Sequence, residues 1–205
     1  MPISLVCVSD CANLTNLKRM VDSARPIISD AVLVAQTKDT KSFREASALF
    51  DFSEQVTPKG NADPDRNYAY TLGRGDWILA LDDDEWLPEE TQQYIMRIVN
   101  ARVDVVTFDF RNLVDGVDIN DILGPDPHPR LWRHMQGLIN WPSQAHTFPQ
   151  IASPRQVFTK NVIVHDRAFA DLEARQKSRG SVIDPQMRDL QNRFLNAVKQ
   201  KLGKQ

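Results

Sequence analysis

Four consecutive acidic residues follow the mostly apolar run "DWILAL" at 76–81: Asp82, Asp83, Asp84 and Glu85. Neighbouring carboxylates repel one another unless water or a cation screens them. Mg²⁺ and Mn²⁺ prefer carboxylate oxygens as ligands and keep coordination positions open for phosphate. The cluster therefore indicates either a divalent cation site or the solvated start of a helix, and its composition alone does not decide between the two.

The geometry of the cluster depends on the backbone that carries it. On an extended segment alternate residues face the same side, so we expect Asp82 and Asp84 to point together and Asp83 to point away. Pro88 suits the first turn of a helix. We therefore expect a buried strand that ends at the acids and a helix that begins just beyond them.

Apolar runs and helical spacings alternate over the first 110 residues. The apolar runs predict strands at 3–9, 31–37, 54–58, 76–81 and 103–110. The helical spacings predict helices at 14–24, at 42–50, in a segment that ends at Gly73 or Gly75, and at 88–101. This order predicts an α/β fold with a mostly parallel central sheet flanked by helices. Ligands of such sheets bind outside the carboxyl ends of the strands, which is where the acids lie.

The character of the sequence changes after residue 112. An Asp-, Gly- and Pro-rich stretch predicts a loop over 112–130, and an apolar run predicts a further strand over 156–166. From residue 184, apolar residues recur on one helical face: Leu190, Phe194, Leu195, Val198 and Leu202. We expect a C-terminal packing helix there.

The bulk composition is that of a soluble globular protein, with 205 residues, 41% of them hydrophobic and 25% charged. The formal charge of −2 gives no general attraction to nucleic acid or to anionic lipid. No stretch approaches the roughly 20 apolar residues that span a bilayer, and the N-terminus lacks the basic and apolar regions of a signal peptide. Cys7 and Cys11 are interpreted as reduced thiols. These features predict a cytoplasmic protein.

Four segments, in a consistent order, resemble family 2 glycosyltransferases. "DRNYAYTLGRGDW" and "GDWILALDDDEWL" are similar to the family's lead-in and D-x-D segments, and "HPRLWRHMQGLINWPSQAHTF" and "VIVHD" to two downstream segments. The resemblance covers roughly residues 3–168. The matching positions are Arg66, Asn67, Asp82, Asp84, Arg130, Leu131, Trp132, Arg133, Gly137, Trp141, His146 and His165.

The resemblance implies a GT-A-like (Rossmann-like) fold, a nucleotide-diphosphate sugar as donor, with a UDP-sugar favoured, and Mn²⁺ or Mg²⁺ as cofactor. Negative charge develops on the nucleotide diphosphate as the sugar leaves, and a metal is an effective counter-charge there. By this resemblance Asp84 ligates the metal, Asp82 holds the ribose or a metal-bound water, and His165 completes the metal shell or contacts the diphosphate. For His165 a purely structural role at the end of a strand is the alternative.

The resemblance also implies other contacts with the donor and the acceptor. Guanidinium groups pair bidentately with phosphate, whereas surface salt bridges are the alternative for each arginine. Two tryptophans either stack on a sugar or a base, or pack in the core. The predicted donor-binding residues are Ser9, Gln36, Asp39, Arg66, Asn67, Asp82, Asp83, Arg130 and Arg133, and the predicted acceptor-binding residues are Trp132 and Trp141.

The sequence departs from the family pattern in two places. Thr147 stands where the family usually has a glutamate that serves as the catalytic base, and a threonine cannot take up a proton at neutral pH. His146 is one candidate base, Asp166 or Asp121 is another, and a weak or lapsed enzyme is the third reading. The segment "VAQTKDTKS" also replaces the family's nucleoside-binding segment, so Gln36 and Asp39 are only loosely aligned with it.

Three segments of the chain and three rival functions follow. The resemblance predicts a single domain over 1–205, with a nucleotide-sugar-binding half (1–112), an acceptor-side half (113–183) and a C-terminal packing helix (184–205). A metal-dependent nucleotidyl- or phosphotransferase could use the same acids on a similar sheet. A non-catalytic domain that binds a nucleotide sugar or a glycan is a second alternative, and a plain interaction domain with a solvated acidic turn is a third. The sequence does not indicate the acceptor.

Overall fold

The computed structural model describes residues 1–59, 62–142, 149–179 and 185–204. The chain forms two compact units. The first comprises Met1–Asp109 and Pro127–Ile163, and the second comprises Phe110–Asp126 and Val164–Gln205. The predicted division of the chain at residues 112 and 183 into functional halves stays a prediction.

Strands and helices alternate through the first part of the chain, as the sequence predicts. The strands are β1 (Ile3–Ser9), β2 (Asp30–Ala35), β3 (Phe52–Gln55), β4 (Trp77–Ala80), β5 (Glu85–Trp86), β6 (Val105–Val114), β7 (Val117–Asp118), β8 (Pro127–Arg133), β9 (Ile139–Asn140), β10 (Gln150–Ile151) and β11 (Gln156–Arg167). The helices are α1 (Leu14–Ala24), α2 (Thr40–Ser47), α3 (Asp63–Leu72), α4 (Glu89–Ile98), α5 (Asn120–Leu123), α6 (Phe169–Arg179) and α7 (Pro185–Lys201).

The first unit is built on a mixed sheet. Its strand order begins β3-β2-β1-β4-β8-β6. Strands β1 to β4 are parallel to one another, whereas β8 is antiparallel to both β4 and β6. The prediction of an α/β sheet flanked by helices is confirmed, and the expectation of a mostly parallel sheet is corrected to a mixed one.

Strand β8 explains the correction. Its sequence "PHPRLWR" contains Pro127 and Pro129, which are typical of loops and strand edges because proline lacks a backbone N–H. The sheet accommodates them with a register shift between Val106 and Thr107 in β6, the point opposite Pro129. Because of these prolines, the sequence did not predict β8, the antiparallel strand that lies between β4 and β6.

A close approach of the backbone explains why the turn before β4 contains Gly75. A Cβ atom on Gly75 would lie 2.7 Å from the Ser4 backbone nitrogen and 2.8 Å from the Pro2 carbonyl oxygen. The Ser4 hydroxyl accepts a hydrogen bond of 2.7 Å from the Gly75 N–H. This contact fixes the start of β4 against the start of β1, so the ends of the two strands are also in register.

The core of the first unit covers one face of the sheet with aromatic side chains. Tyr70 of α3 packs edge-on against Trp132 of β8, with 4.8 Å between ring centroids. Trp141 belongs to the same buried cluster. The other members of the cluster come mainly from strands β1, β2 and β4: Val6, Val8, Val32, Val34, Ala69, Ile78, Ala80, Val105 and Leu138. The buried cluster therefore packs helix α3 and the Trp141 segment against the sheet.

The second unit contains the predicted C-terminal helix. Leu195 and Val198 of α7 are buried with Phe169 of α6, and Phe194 and Leu202 pack against the same cluster. Lysines of the C-terminal segment pair with acids of the unit: Lys199 with Glu173, Lys201 with Asp121, and Lys204 with Asp115. Among the residues that the structure describes, no helix combines the length and the apolar character needed to cross a bilayer.

Candidate functional site

The four acids form a turn at the carboxyl end of β4. The Glu85 N–H donates to the Asp82 carbonyl oxygen over 3.0 Å, which closes the turn. The Leu81 N–H donates to the Val6 carbonyl oxygen of β1, and the Leu87 N–H donates to the Ser23 hydroxyl of α1. The expected extended backbone, with Asp82 and Asp84 on one side, is therefore replaced by a turn anchored at both of its ends.

Asp82 lies between two buried arginines. Its Oδ1 is 2.8 Å from Nη1 of Arg66, and its Oδ2 accepts a hydrogen bond of 3.2 Å from Nη2 of Arg130. Burial lowers the pKa of each guanidinium, but the nearby carboxylates, Asp82 for Arg66 and Glu85 for Arg130, raise it by more, so both pKa values lie above their usual range. Asp82 is thus paired with two permanent cations.

Glu85 is the most buried of the four acids. It accepts hydrogen bonds from Nε and Nη2 of Arg130 at 2.9 and 2.6 Å, a bidentate pair. Its Oε2 also accepts a hydrogen bond of 3.1 Å from the Asp82 N–H. Glu85 was part of the acidic pattern in the sequence, but nothing there indicated its partner, which lies 45 residues away.

Asp83 connects the turn to the end of β1. Its Oδ2 accepts a hydrogen bond of 2.5 Å from the Ser9 hydroxyl, and that hydroxyl accepts one from the Cys11 N–H. Burial, followed by the charge of Asp84, raises the pKa of the Asp83 carboxyl to about 7, although the Ser9 hydrogen bond lowers it. Ser9 and Asp83, both predicted to bind the donor, therefore stand together.

The carboxylates of the turn are the type of ligand that a hard divalent cation prefers. Asp84 is half-buried, and its charge is a main cause of the raised pKa of Asp83. Burial is the largest cause of that raised pKa, and the charges of Asp84 and Asp82 add to it. A divalent cation would offset the part that comes from these neighbouring charges. Metal binding by Asp82 and Asp84 stays a prediction.

The predicted pair Arg66 and Asn67 links the acidic turn to the segment around Trp141. The Arg66 guanidinium lies 4.7 Å from the centre of the Trp141 ring, and its Nε donates to Asp63 Oδ1 over 3.0 Å. The Asn67 side chain accepts a hydrogen bond from the Trp141 N–H and donates one to the Trp141 carbonyl oxygen, each of 2.7 Å. Helix α3 therefore positions the turn and the Trp141 segment together.

Two other predicted contacts fall away from the turn. Arg133 pairs in register with Trp77, at the start of β4, whereas the acids follow its end. Its guanidinium stacks on the Trp77 ring at 4.8 Å and donates to the Val103 carbonyl oxygen. Trp132 is buried against Tyr70. Trp132 and Trp141 are both buried in the core. The predicted donor contact of Arg133 and the predicted acceptor contacts of the two tryptophans stay predictions.

A second polar cluster lies at the end of β2. Gln36 donates from Nε2 to Asp65 Oδ2 over 2.6 Å, and Lys59 pairs with Oδ1 of the same aspartate. The Gln36 N–H also donates to the Ser9 carbonyl oxygen, so this cluster adjoins the end of β1.

Asp39, by contrast, is exposed and caps α2. Its carboxylate accepts hydrogen bonds from the Lys41 N–H and the Ser42 hydroxyl. The Ser42 hydrogen bond is the main cause of its lowered pKa.

His165 lies buried in the second unit, in a defined hydrogen-bond chain. Asp126 Oδ2 accepts from the Asn112 amide nitrogen over 3.2 Å, which turns the Asn112 oxygen toward His165 Nδ1 at 3.0 Å. That oxygen can only accept, so Nδ1 carries the proton of this hydrogen bond. This arrangement is typical of metal-binding histidines. The role of His165 as a metal ligand stays a prediction.

The candidate catalytic bases are only partly described. His146 and Thr147 lie outside the described residues. Asp166 is half-buried in the second unit, at the end of β11, and its role stays a prediction. Asp121 pairs with Lys201, and this hydrogen bond lowers its pKa, which makes it a weak proton acceptor.

Sequence reasoning missed three residues that complete the polar network, and it missed the role of a fourth, Glu85. Asp63, Asp65 and Lys59 precede the matched pair Arg66–Asn67, and Glu85 ends the acidic run. An acid three residues before a matched arginine is the signal that could have found Asp63, since i and i+3 residues are neighbours on a helix. Nothing in the local pattern indicates the pairs Gln36–Asp65 and Glu85–Arg130, which join distant segments.

Comparisons with known proteins locate the fold. No protein-family model matches the chain, and no curated protein matches it. S. aureus TarS has a similar structure, with a TM-score of 0.57 and 14% identity, over 96% of this chain and 43% of that chain. TarS 1-349 in complex with UDP-GlcNAc is similar at a TM-score of 0.57 and 14% identity, over 95% of this chain and 70% of that chain. The chain thus spans less than half the length of TarS, and at this identity the likeness establishes a shared fold.

Proposed function

We propose that the protein is a metal-dependent glycosyltransferase that moves a sugar from a nucleotide-diphosphate sugar to an acceptor. The observation that carries this proposal is the acidic turn at the carboxyl end of β4, joined through Asp83 to Ser9 at the end of β1. Ligands of α/β sheets bind at this edge. The sequence resemblance to family 2 glycosyltransferases and the fold shared with TarS, which was solved in complex with UDP-GlcNAc, both support it.

The donor is a UDP-sugar in this proposal. A TarS structure in complex with UDP has a TM-score of 0.55 to this chain, at 14% identity, which supports a uridine nucleotide as the first one to test. Ser9 and Gln36 stand at the ends of adjacent parallel strands, at the edge where the nucleoside is expected. Asp65 and Lys59 hold the Gln36 amide in one orientation.

Mn²⁺ or Mg²⁺ is the proposed cofactor, with Asp84 as its direct ligand. When bound, the metal supplies the positive charge that stabilises the departing diphosphate. Arg66 and Arg130 each form an ion pair with the Asp82 carboxylate, and these two pairs hold the start of the turn in place. Asp83 and Ser9 tie this turn to β1, where a nucleoside would bind.

The test is incubation with Mn²⁺ and a panel of UDP-, GDP- and CDP-sugars, with identification of the released products. We expect slow release of the nucleotide diphosphate and the free sugar. This release should stop when EDTA removes the metal. Asp22→Asn is the matched control for Asp84→Ala, the variant that removes the proposed metal ligand. Asp22 forms only an exposed ion pair with Lys18 on α1, so Asp22→Asn should behave as the unmodified protein.

The products also distinguish the rival functions. Release of pyrophosphate or inorganic phosphate would instead identify a nucleotidyl- or phosphotransferase. Metal-dependent binding of a nucleotide sugar without turnover, with or without added acceptors, would identify a binding domain. Absence of any binding across the panel would contradict the proposal.

A further inference from the structure

Glu85 and Arg130 form a buried ion pair beneath the acidic turn. Glu85 is 1% exposed and Arg130 is 4% exposed. Taking two such charges out of water costs several kcal/mol per ion, and a close bidentate geometry offsets only part of that cost. A buried pair is therefore weak evidence for a purely stabilising role, and its connections to the turn indicate what else it does.

Both members of the pair also contact Asp82. Glu85 accepts a hydrogen bond from the Asp82 N–H, while its own N–H donates to the Asp82 carbonyl oxygen. Arg130 binds Glu85 in a bidentate manner and also donates to the Asp82 carboxylate through Nη2. Backbone and side chain of Asp82 are thus fixed by one two-residue unit, whose arginine comes from the central strand β8.

We propose that Glu85 and Arg130 are positioning residues that set the conformation of the acidic turn and the place of the Asp82 carboxylate. Arg130 acts through Asp82 rather than by contact with phosphate. The consequence for donor binding rests on the proposed function, whereas the consequence for the turn itself does not. The fourth acid of the cluster therefore orients the turn that carries the other three.

The chain offers a matched control for this proposal. Asp104 is 4% exposed and also forms a bidentate pair, with Nε and Nη2 of Arg155 at 2.8 and 2.7 Å. Asp104 precedes β6 and contacts Ser153 and Arg133, none of which belongs to the turn. Asp104→Asn therefore removes a buried carboxylate charge and a bidentate pair away from the turn, as Glu85→Gln does within it, whereas the partner Arg155 is exposed and Arg130 is buried.

The experiment compares Glu85→Gln with Asp104→Asn. Amide hydrogen exchange of residues 82–85 is measured without metal or nucleotide, and UDP affinity is then measured by calorimetry in the presence of Mn²⁺. We expect Glu85→Gln to speed exchange at the turn by about 10-fold or more and to weaken UDP binding by about 10- to 100-fold, the usual effect of losing a group that orients a ligand. Asp104→Asn should change neither.

The outcomes separate the positioning role from the proposed function. Unchanged exchange and affinity in Glu85→Gln, or equal changes in Asp104→Asn, would overturn the proposal. Faster exchange with unchanged UDP affinity would overturn its functional half. If the unmodified protein binds no UDP, the proposed function fails, and the exchange comparison still decides whether Glu85 positions the turn.

A second pair of variants covers the case in which Glu85→Gln does not fold. Arg130→Lys keeps the charge but loses the planar fork that reaches Glu85 and Asp82 together, and Arg155→Lys is its control. Arg130→Lys should reproduce the faster exchange at the turn and the weaker UDP binding, and Arg155→Lys should not. Full retention of both properties in Arg130→Lys would overturn the proposal.

Discussion

Asn67 binds the backbone of Trp141 on both sides, accepting a hydrogen bond from its N–H and donating one to its carbonyl oxygen, each of 2.7 Å. A single side chain thus takes the place of a neighbouring strand. Arg66, the preceding residue, stacks on the Trp141 ring and pairs with Asp82. Two adjacent residues of α3 therefore couple the core tryptophan to the acidic turn.

We expect Asn67→Ala to destabilise the protein by about 2–3 kcal/mol, because the Trp141 backbone loses both partners. Urea denaturation provides the free energy of unfolding. Asn100→Ala is the control, since Asn100 makes one exposed hydrogen bond, to the Met96 carbonyl oxygen, and its loss should cost less than about 0.5 kcal/mol. Equal losses in the two variants would show that Asn67 does not hold Trp141.

Replacement of Arg66 should be more costly than replacement of an exposed arginine. Arg66→Met leaves the Asp82 and Asp63 carboxylates without one of their cations, and we expect a loss of about 3 kcal/mol. In Arg25→Met the lost partner is Asp51, in an exposed pair worth less than about 1 kcal/mol. Thermal and urea denaturation of both variants test this difference, and a smaller loss for Arg66→Met than for Arg25→Met would refute it.

The fold could be predicted where the signal is local. The apolar runs predicted β1, β2 and β4, and the helical spacing of Leu17, Met20 and Val21 predicted α1. The antiparallel strand β8 could not be predicted, because two of its residues are prolines and its pairing with β4 is non-local.

The sequence could predict which residues form the candidate site but not how they are arranged. The sequence identified the acids and the matched arginines, but their backbone forms a turn where an extended segment was expected. The partners of the arginines were also hidden, since Arg130 is 48 residues from Asp82. Contacts of this kind depend on how strands are ordered in the sheet rather than on spacing along the chain.

Asp104 should give the protein part of its acid sensitivity. Burial alone would raise the pKa of Asp104, but hydrogen bonds from Ser153 and Arg155 hold the pKa below its usual value. A carboxyl whose folded pKa is lowered stabilises the fold fully above its unfolded pKa of about 3.9, and this stabilisation is lost as the pH falls through the folded value.

The stability difference between the unmodified protein and Asp104→Asn should therefore be about 2 kcal/mol above pH 5 and should shrink below pH 4. Urea denaturation at a series of pH values measures it. A difference that stays constant down to pH 3, or grows there, would contradict the assignment of the lowered pKa to Asp104.

Gly75→Ala should destabilise the protein because its new methyl group would collide with backbone atoms, which cannot rotate away. The Ser4 nitrogen would be 2.7 Å away and the Pro2 oxygen 2.8 Å away. We expect a loss of about 2–3 kcal/mol. Gly137→Ala is the control: no atom lies within 4 Å of its new methyl group, and its φ of 75° costs about 1 kcal/mol. Melting temperatures in the reverse order would contradict this account.

The central claim is that the acidic turn binds a divalent cation together with a nucleotide diphosphate. The most direct test is calorimetric titration of UDP into the protein and into Asp84→Ala, with and without Mn²⁺, with Asp22→Asn as the control. We predict that the unmodified protein and Asp22→Asn bind UDP far more tightly with Mn²⁺, and that Asp84→Ala loses this metal-dependent gain. Binding of UDP and Mn²⁺ by Asp84→Ala with unchanged affinity would contradict the claim.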